Sequence, residues 1–279
     1  MANRAHRASV AAETTEILDR GTYTVDGRTV SIAEALAESC SKTLLYTPHD
    51  LEQLIASLDR PPPIHTALSV SNCTTFAAAQ QLLNDGFDDP LCLSFASAKN
   101  PGGGFLSGSQ AQEECLARAS GLYASLVIQM AYYDVNRGST TSLYSHHAIY
   151  SPRVPVFRDD EDALLPLPYT VSMVTSPAVN AGAVRKNEPH NIPKVAPTMQ
   201  HRIESVLAIA REHRHRALVL GAWGCGVFAN DPADVARWFR DALTLQPRFA
   251  NAFDRVIFAV LDFADGTPTF DAFDRTLAG

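Results

Sequence analysis

Two adjacent acids, Glu113 and Glu114, follow a run of three glycines, Gly102–Gly104, within the stretch NPGGGFLSGSQAQEECLARAS (Asn100–Ser120). A carboxyl group beside a scissile bond can protonate a leaving oxygen and then, as carboxylate, activate water. Each glycine costs backbone entropy, so a run of three needs a reason, and close approach of a ligand to the backbone supplies one. The acids stand where a helix begins. Leu116, Ala119, Tyr123, Leu126 and Met130 recur at helical spacing. Ser109 and Gln112 match the S-x-x-Q form of a capping box, which predicts one helix from Gln112 to about Ala131. At 3.6 residues per turn Glu113 and Glu114 lie about 100° apart around its axis and cannot both point the same way. One meets a ligand squarely and the other touches its flank. Acids in a first helical turn also favour the macrodipole on ordinary surfaces; the glycine run tips the reading toward chemistry.

A second glycine loop, GAWGCGVFAND (221–231), carries Gly221, Gly224 and Gly226 and leads into Pro232 at a helix start. Its successive backbone N–H groups could cradle a diphosphate. It fits neither G-x-G-x-x-G nor G-x-x-x-x-G-K-[ST], which disfavours a dinucleotide-dependent dehydrogenase and excludes a P-loop NTPase. Phe228 is either core packing or a flat platform for a base. Cys225 reads as a small residue that fits between glycines, with a reactive thiol as the alternative. Trp223 and Trp238 read as packing residues. His146 and His147 fall in an expected strand, where one of them should be buried. The nine histidines form no HExxH motif and the five cysteines no CxxC, so neither a metal site nor a disulfide framework is expected.

The elements that must position these loops change character along the chain. The first sixty residues read as helical, in ASVAAETTEILDRG, SIAEALAESCSKT and DLEQLIASLDR, and the PPP of residues 61–63 marks a boundary. Strands and helices then alternate. TALSVSN, LCLSFAS, HHAIYSPRVPVF, YTVSMVTSPAV, RALVLG and DRVIFAVLDF are strands, and TTFAAAQQLLNDG, PTMQHRIESVLAIAREH and PADVARWFRDAL are helices. RDDEDALLPLP (158–168) reads as a solvated acidic loop. Alternating βα units imply a central, largely parallel sheet with helices on both faces. Ligands bind at the C-terminal strand ends of such sheets, and both glycine loops follow buried strands directly.

The 279 residues suffice for a full core, and 46% hydrophobic with 19% charged residues is an ordinary globular composition. A net charge of −7 argues against a general nucleic-acid binder, so no direct DNA binding is expected. A local phosphate pocket of backbone N–H groups remains compatible with that charge. The N-terminus has no apolar signal region, and no run is long enough to span a bilayer, so a cytoplasmic protein is expected. EHRHR (212–216) and Arg185–Lys186 could guide an anionic polymer but read first as solvated surface.

The triple glycine followed after seven residues by Gln112-Glu113-Glu114 resembles the catalytic signature of poly(ADP-ribose) glycohydrolases. LVLGAWGCGVFAND looks like the diphosphate-binding loop of the macrodomain fold. RASVAAETTEILDRGTY and SNCTTFAAAQQL are similar to the bacterial and fungal branch of that family. The resemblance implies a three-layer α/β/α macrodomain-like core (64–279) with a mixed, largely parallel sheet and an N-terminal helical extension (1–63). It implies hydrolysis of ribose–ribose bonds of poly(ADP-ribose) from the chain end, releasing ADP-ribose, with no metal or cofactor. By the same resemblance Glu114 is the catalytic acid, and Glu113 and Asn100 position the terminal ribose. Gly102, Gly103, Gly104 and Gln112 belong to the substrate-binding set. Gly224, Cys225, Gly226 and Val227 hold the diphosphate, with Phe228 on the adenosine side. The adjacent Glu113 and the substrate diphosphate both disfavour a second negative charge, so Glu114 should become a competent acid with substrate bound. A monomer acting on the polymer or on ADP-ribosylated proteins, in the DNA damage response, is the expected setting. Two alternatives stand: a hydrolase for protein-linked mono-ADP-ribose, and a non-catalytic ADP-ribose reader. Readers carry the glycine loops without the paired acids.

Overall fold

The computed structural model describes residues 3–61 and 65–277. In chain order the elements are α1 (Arg4–Arg20), β1 (Thr22–Val25), β2 (Arg28–Ser31), α2 (Ala33–Ser41), β3 (Leu44–Tyr46), α3 (Pro48–Ser57), β4 (Ala67–Ser71), α4 (Thr75–Asn84) and β5 (Leu91–Phe95). There follow α5 (Gln112–Ala119), α6 (Leu122–Val127), α7 (Met130–Gly138), β6 (Ala148–Arg158), β7 (Leu164–Ser176), α8 (Ala181–Asn187) and α9 (Val195–Glu212). The chain closes with β8 (Ala217–Gly221), α10 (Pro232–Thr244), β9 (Arg255–Ala259) and α11 (Pro268–Leu277). Short 3-10 turns cover Phe105–Ser107 and Pro189–Lys194.

Seven strands form one sheet in the order β3-β6-β7-β5-β8-β9-β4. The five from β7 to β4 run parallel, and β6 is antiparallel to both its neighbours. Alternation along the strands divides the core. Leu218, Leu220, Val256 and Phe258 face one side, with Leu51 of α3, Ile203 of α9, Phe239 of α10 and Phe273 of α11. Val219 and Ile257 face the other, with Phe76 of α4, Leu116 of α5, Leu122 of α6 and Tyr132 of α7. Strands covered on both faces read as apolar runs, which is why LVLG and VIFA were legible. The result is the expected three-layer α/β/α architecture with a largely parallel sheet. β5 and β8 lie side by side, with Leu91 opposite Leu218 and Cys92 opposite Val219. The two glycine loops therefore leave the sheet as neighbours at its C-terminal edge.

The structure also corrects several expectations. The N-terminal sixty residues are not only helical: β1 and β2 form a hairpin closed by Asp26 (φ 50°) and Gly27 (φ 72°). Two successive positive φ values suit the twist of a two-residue hairpin turn. β3 joins the main sheet by pairing Leu44 with Tyr150 and Tyr46 with Ala148. The helix expected from Gln112 to Ala131 is broken after Ala119, because β6 captures the backbone there. Ser120 bridges Val156, and the Gly121 N–H donates to the Pro155 carbonyl at 2.8 Å. β7 begins at Leu164, inside the stretch expected to be an acidic loop. His146 and His147 precede β6 rather than lying in it, and both are half-buried. α11 had no counterpart in the sequence reading. The boundary expected at residue 63 lies outside the described residues.

Candidate active site

Gln112 opens α5, but the N-cap is Ala111 and no side chain caps the helix. The expected capping box is not made because the Gln112 side chain turns to the sheet. Its Oε1 accepts the Phe95 N–H at 2.8 Å, and its Nε2 donates to the Leu93 carbonyl at 2.8 Å and to Thr75 Oγ1 at 3.0 Å. One amide thus ties the first turn of α5 to the end of β5 and the start of α4. Both its N–H donors are spent on the scaffold, so the structure places Gln112 as an anchor.

That anchor swings the next two residues onto the glycine loop. The Gly104 N–H donates to Glu114 Oε1 at 3.0 Å, and the Ser97 N–H to Glu113 Oε2 at 2.6 Å. A methyl group at Gly103 would overlap Glu114 Oε1 and lie 3.2 Å from Glu113 Oε2. The two carboxylates therefore converge on Gly103 from different directions, Glu113 from the Ser97 amide and Glu114 from the Gly104 amide. The loop folds back over the helix start, and the side chains are long enough to meet it. Gly102 (φ +64°) and Gly103 (φ +60°) occupy the left-handed region, where other residues are strained.

The two acids have different surroundings. Glu113 is only 2% exposed. Burial pushes its carboxyl well above the usual carboxylate range; the Ser97 N–H opposes this, the Glu114 charge adds to it, and the Gly102 N–H opposes it. Its Oε1 is buried without a protein hydrogen-bond partner, as are the hydroxyls of Tyr132 and Tyr133. Glu114 is half-exposed. Asn100 is exposed; its carbonyl accepts the Gly103 N–H at 3.0 Å and its N–H donates to Ser97 Oγ at 3.1 Å.

The second loop is held from one limb and open at its tip. Asn230 Nδ2 donates to the carbonyls of Val179 (2.8 Å) and Gly224 (3.1 Å). The Gly182 N–H donates to the Phe228 carbonyl at 3.0 Å, and Arg185 Nη2 to the Ala229 carbonyl at 2.7 Å. Arg185, exposed as expected, is thus also a strut of this loop. Gly224 takes φ +74°, with Ala178 Cβ 2.5 Å from where its own Cβ would lie. At the tip Gly226 is exposed and Val227 is 93% exposed. Burial pushes the Cys225 thiol up, so it is a small protonated filler and not a thiolate. Phe228 packs on the core and sets its ring 6.0 Å from that of Tyr144.

Three positioning residues were missed in the sequence: Asn230, Arg185 in this role, and Arg202. Arg202 is fully buried in α9 and donates to the carbonyls of Leu143 (2.5 Å), Tyr144 (2.9 Å) and Pro177 (2.9 Å). Burial lowers its pKa to about 10. Its signal was a cation inside the apolar stripe of RIESVLAIA.

The sequence profile of the microbial-type PARG catalytic domain matches residues 11–159, which include the glycine run and the paired acids. No curated protein matches the chain. Among solved structures, the poly(ADP-ribose) glycohydrolase of Thermomonospora curvata is 48% identical, with a TM-score of 0.94 over 98% of this chain and 100% of that one. The same glycohydrolase bound to the inhibitor ADP-HPD is 48% identical, with a TM-score of 0.91 over 98% of this chain and 99% of that one. The Deinococcus radiodurans glycohydrolase in complex with ADP-ribose is 46% identical, with a TM-score of 0.82 over 92% of this chain and 98% of that one. With the profile matching more than half of the chain and a solved glycohydrolase 48% identical over nearly all of it, the chain belongs to the microbial-type poly(ADP-ribose) glycohydrolase family.

Proposed function

We propose that this protein hydrolyses ribose–ribose O-glycosidic bonds of poly(ADP-ribose) from the chain end and releases ADP-ribose, with Glu114 as general acid and base. The observation that carries the reading is the convergence of two carboxylates on Gly103, of which only Glu114 is half-exposed while Glu113 is 2% exposed. Glycoside cleavage needs a protonated carboxyl at the leaving oxygen and passes through an oxocarbenium-like transition state. Glu114 gives its proton to the leaving ribose oxygen as the glycosidic C–O bond breaks. It then takes a proton from the water whose oxygen forms the new bond to that carbon. Glu113, held by the Ser97 N–H, positions the terminal ribose together with Asn100, and the Gly102–Gly104 backbone lets the sugar come close. Gly224, Gly226 and Val227 offer backbone N–H groups to the diphosphate, Cys225 shapes the loop between them with its own N–H on the Ala222 carbonyl at 3.1 Å, and Phe228 with Tyr144 flanks the adenosine side. Gln112 contributes by holding the start of α5.

The Thermomonospora relative bound to ADP-HPD and the Deinococcus relative bound to ADP-ribose support this ligand class. Cleavage from the end suits a protein of net charge −7, since only the terminal unit has to enter. Residues 64–279 act as the catalytic unit, completed by the extension 1–63, in a cytoplasmic monomer acting on the polymer or on ADP-ribosylated proteins. No helix among the described residues is long and apolar enough to cross a membrane.

The test is ADP-ribose release from purified poly(ADP-ribose) with EDTA present, comparing wild type with Glu114→Gln. Loss of one general acid should cost about 10²–10⁴-fold in rate, with ADP-ribose binding by calorimetry retained. A wild type that binds ADP-ribose but releases none from the polymer would refute the reading. Protein-linked mono-ADP-ribose would then separate the mono-ADP-ribose hydrolase from the reader.

A further inference from the structure

The outer side of the catalytic loop rests on α1. Arg4 Nε donates to the Ser107 carbonyl at 2.9 Å, with Arg4 Nη2 3.3 Å from Ser107 Oγ. One turn later Arg7 Nε donates to the Gly108 carbonyl at 2.9 Å. Gly108 (φ +76°) lies directly on the helix: a methyl group there would overlap the Arg4 carbonyl and come within 3.1 Å of the Ala8 N. Beneath this contact Ala11 of α1, Phe105 of the loop and Ala117 of α5 form a buried cluster. The Phe105 ring in turn closes on Gly102, whose Cβ position is 2.9 Å from Phe105 Cδ1.

We infer that Arg4 and Arg7 are positioning residues for the Gly102–Gly104 loop, acting through Ser107, Gly108 and Phe105 on the backbone that faces Glu113 and Glu114. The inference rests on the glycohydrolase reading of that site and adds to it. Both arginines precede residue 11, where the family match begins, so the matched pattern does not assign them. The same turn is gripped from its other end. Arg118, one helical turn after Glu114, donates to the Ser109 carbonyl and to Gln110 Oε1, each at 3.0 Å, and Thr14 of α1 donates to the Arg118 carbonyl at 2.7 Å. The loop is thus strung between α1 and α5. Slack at the α1 end reaches the Gly104 N–H that meets Glu114. Arg4 is exposed and Arg7 half-buried, so neither is needed to fill the core.

The experiment compares the Arg4→Gln/Arg7→Gln double variant with wild type. A control is Arg20→Ala on the same helix, where exposed Arg20 pairs with the Glu16 carboxylate at 3.1 Å and donates to the Glu16 carbonyl at 3.2 Å. Steady-state release from poly(ADP-ribose), the ADP-ribose Kd and the thermal midpoint are measured together. A small loosening of a reactive geometry should lower kcat about tenfold, with KM and Kd held within about twofold. The midpoint should stay close to wild type, and Arg7→Lys beside an intact Arg4 should keep most of the rate. Arg20→Ala should match wild type. Wild-type kcat in the double variant would overturn the inference, as would kcat, Kd and midpoint collapsing together. Amide NMR of Gly102–Gly104 is the second readout: unshifted resonances in the double variant would overturn it whatever the activity. A wild type without polymer cleavage but with shifted variant resonances would instead sink the catalytic reading and leave the clamp standing.

Discussion

The Ser97 N–H and Glu113 Oε2 are 2.6 Å apart, and that contact holds a buried carboxyl group whose other oxygen has no protein partner. A buried acid held this way is favoured in its neutral form. Its folded pKa lies above its ordinary value of 4.5, so the stability it contributes is complete at low pH and is lost as pH rises through the folded value. Glu113→Gln keeps an oxygen for the Ser97 N–H and cannot ionise. Melting curves of the two proteins should coincide near pH 4 and separate upward, with the variant higher by a few degrees at about pH 9. A difference that does not change with pH would contradict this account.

Gly103→Ala should separate stability from activity. The left-handed backbone at Gly103, φ +60°, costs an alanine about 1–2 kcal/mol. The added methyl also displaces the Glu114 carboxylate, and a displacement of about 1 Å at a reacting group can cost on the order of 100-fold. Denaturant melts should show a modest loss while kcat falls by that larger factor. Equal and small effects on both would be inconsistent with the carboxylates meeting at this residue.

Gln112→Leu tests the anchor. It leaves the Phe95 N–H and the Leu93 carbonyl without their partner, at about 1–3 kcal/mol for each unsatisfied buried group. The urea midpoint should drop accordingly, and turnover should drop with it, because Glu113 and Glu114 are carried by the same first turn. A variant as stable as wild type would show that water or another side chain replaces the amide.

Arg202→Gln tests the proposed adenosine side. Arg202 holds the Leu143 and Tyr144 carbonyls, and Tyr144 stands in the left-handed region at φ 59° with its ring facing Phe228. Releasing Tyr144 should weaken ADP-ribose binding several-fold, with kcat at saturation much less affected, and the lost hydrogen bonds should cost about 1–3 kcal/mol of stability. Unchanged ADP-ribose affinity in a folded variant would remove Tyr144 from the proposed site.

What could be seen in the sequence was what local chemistry dictates. The glycine run, the Gln112-Glu113-Glu114 triplet and the apolar strands that became β5, β8 and β9 each carry their signal in a few consecutive residues. The convergence of Glu113 and Glu114 does not, since it depends on how the loop folds back. The role of Gln112 is set by partners 17, 19 and 37 residues away, and that of Arg202 by carbonyls 58 and 59 residues away. The break in the predicted long helix came from Pro155 and Val156 of a strand later in the chain. The hairpin is different: the Asp26-Gly27 pair, flanked by strand-favouring Thr22–Val25 and Arg28–Ser31, signals it locally between two helical segments.

The contact between α1 and the Gly102–Gly108 loop also bears on biosynthesis. Arg4 meets Ser107 and Thr14 meets Arg118, separations of 103 and 104 residues, and Arg158 closes on Glu13 across 145. Ile17 of α1 packs on Tyr23 and Ile32 directly after it in the chain, but at ribosomal rates of roughly 5–20 residues per second α1 waits about 5–20 s for Ser107 and Arg118. The nascent chain therefore has strand β5 before the Gly102–Gly104 loop can settle between α1 and α5.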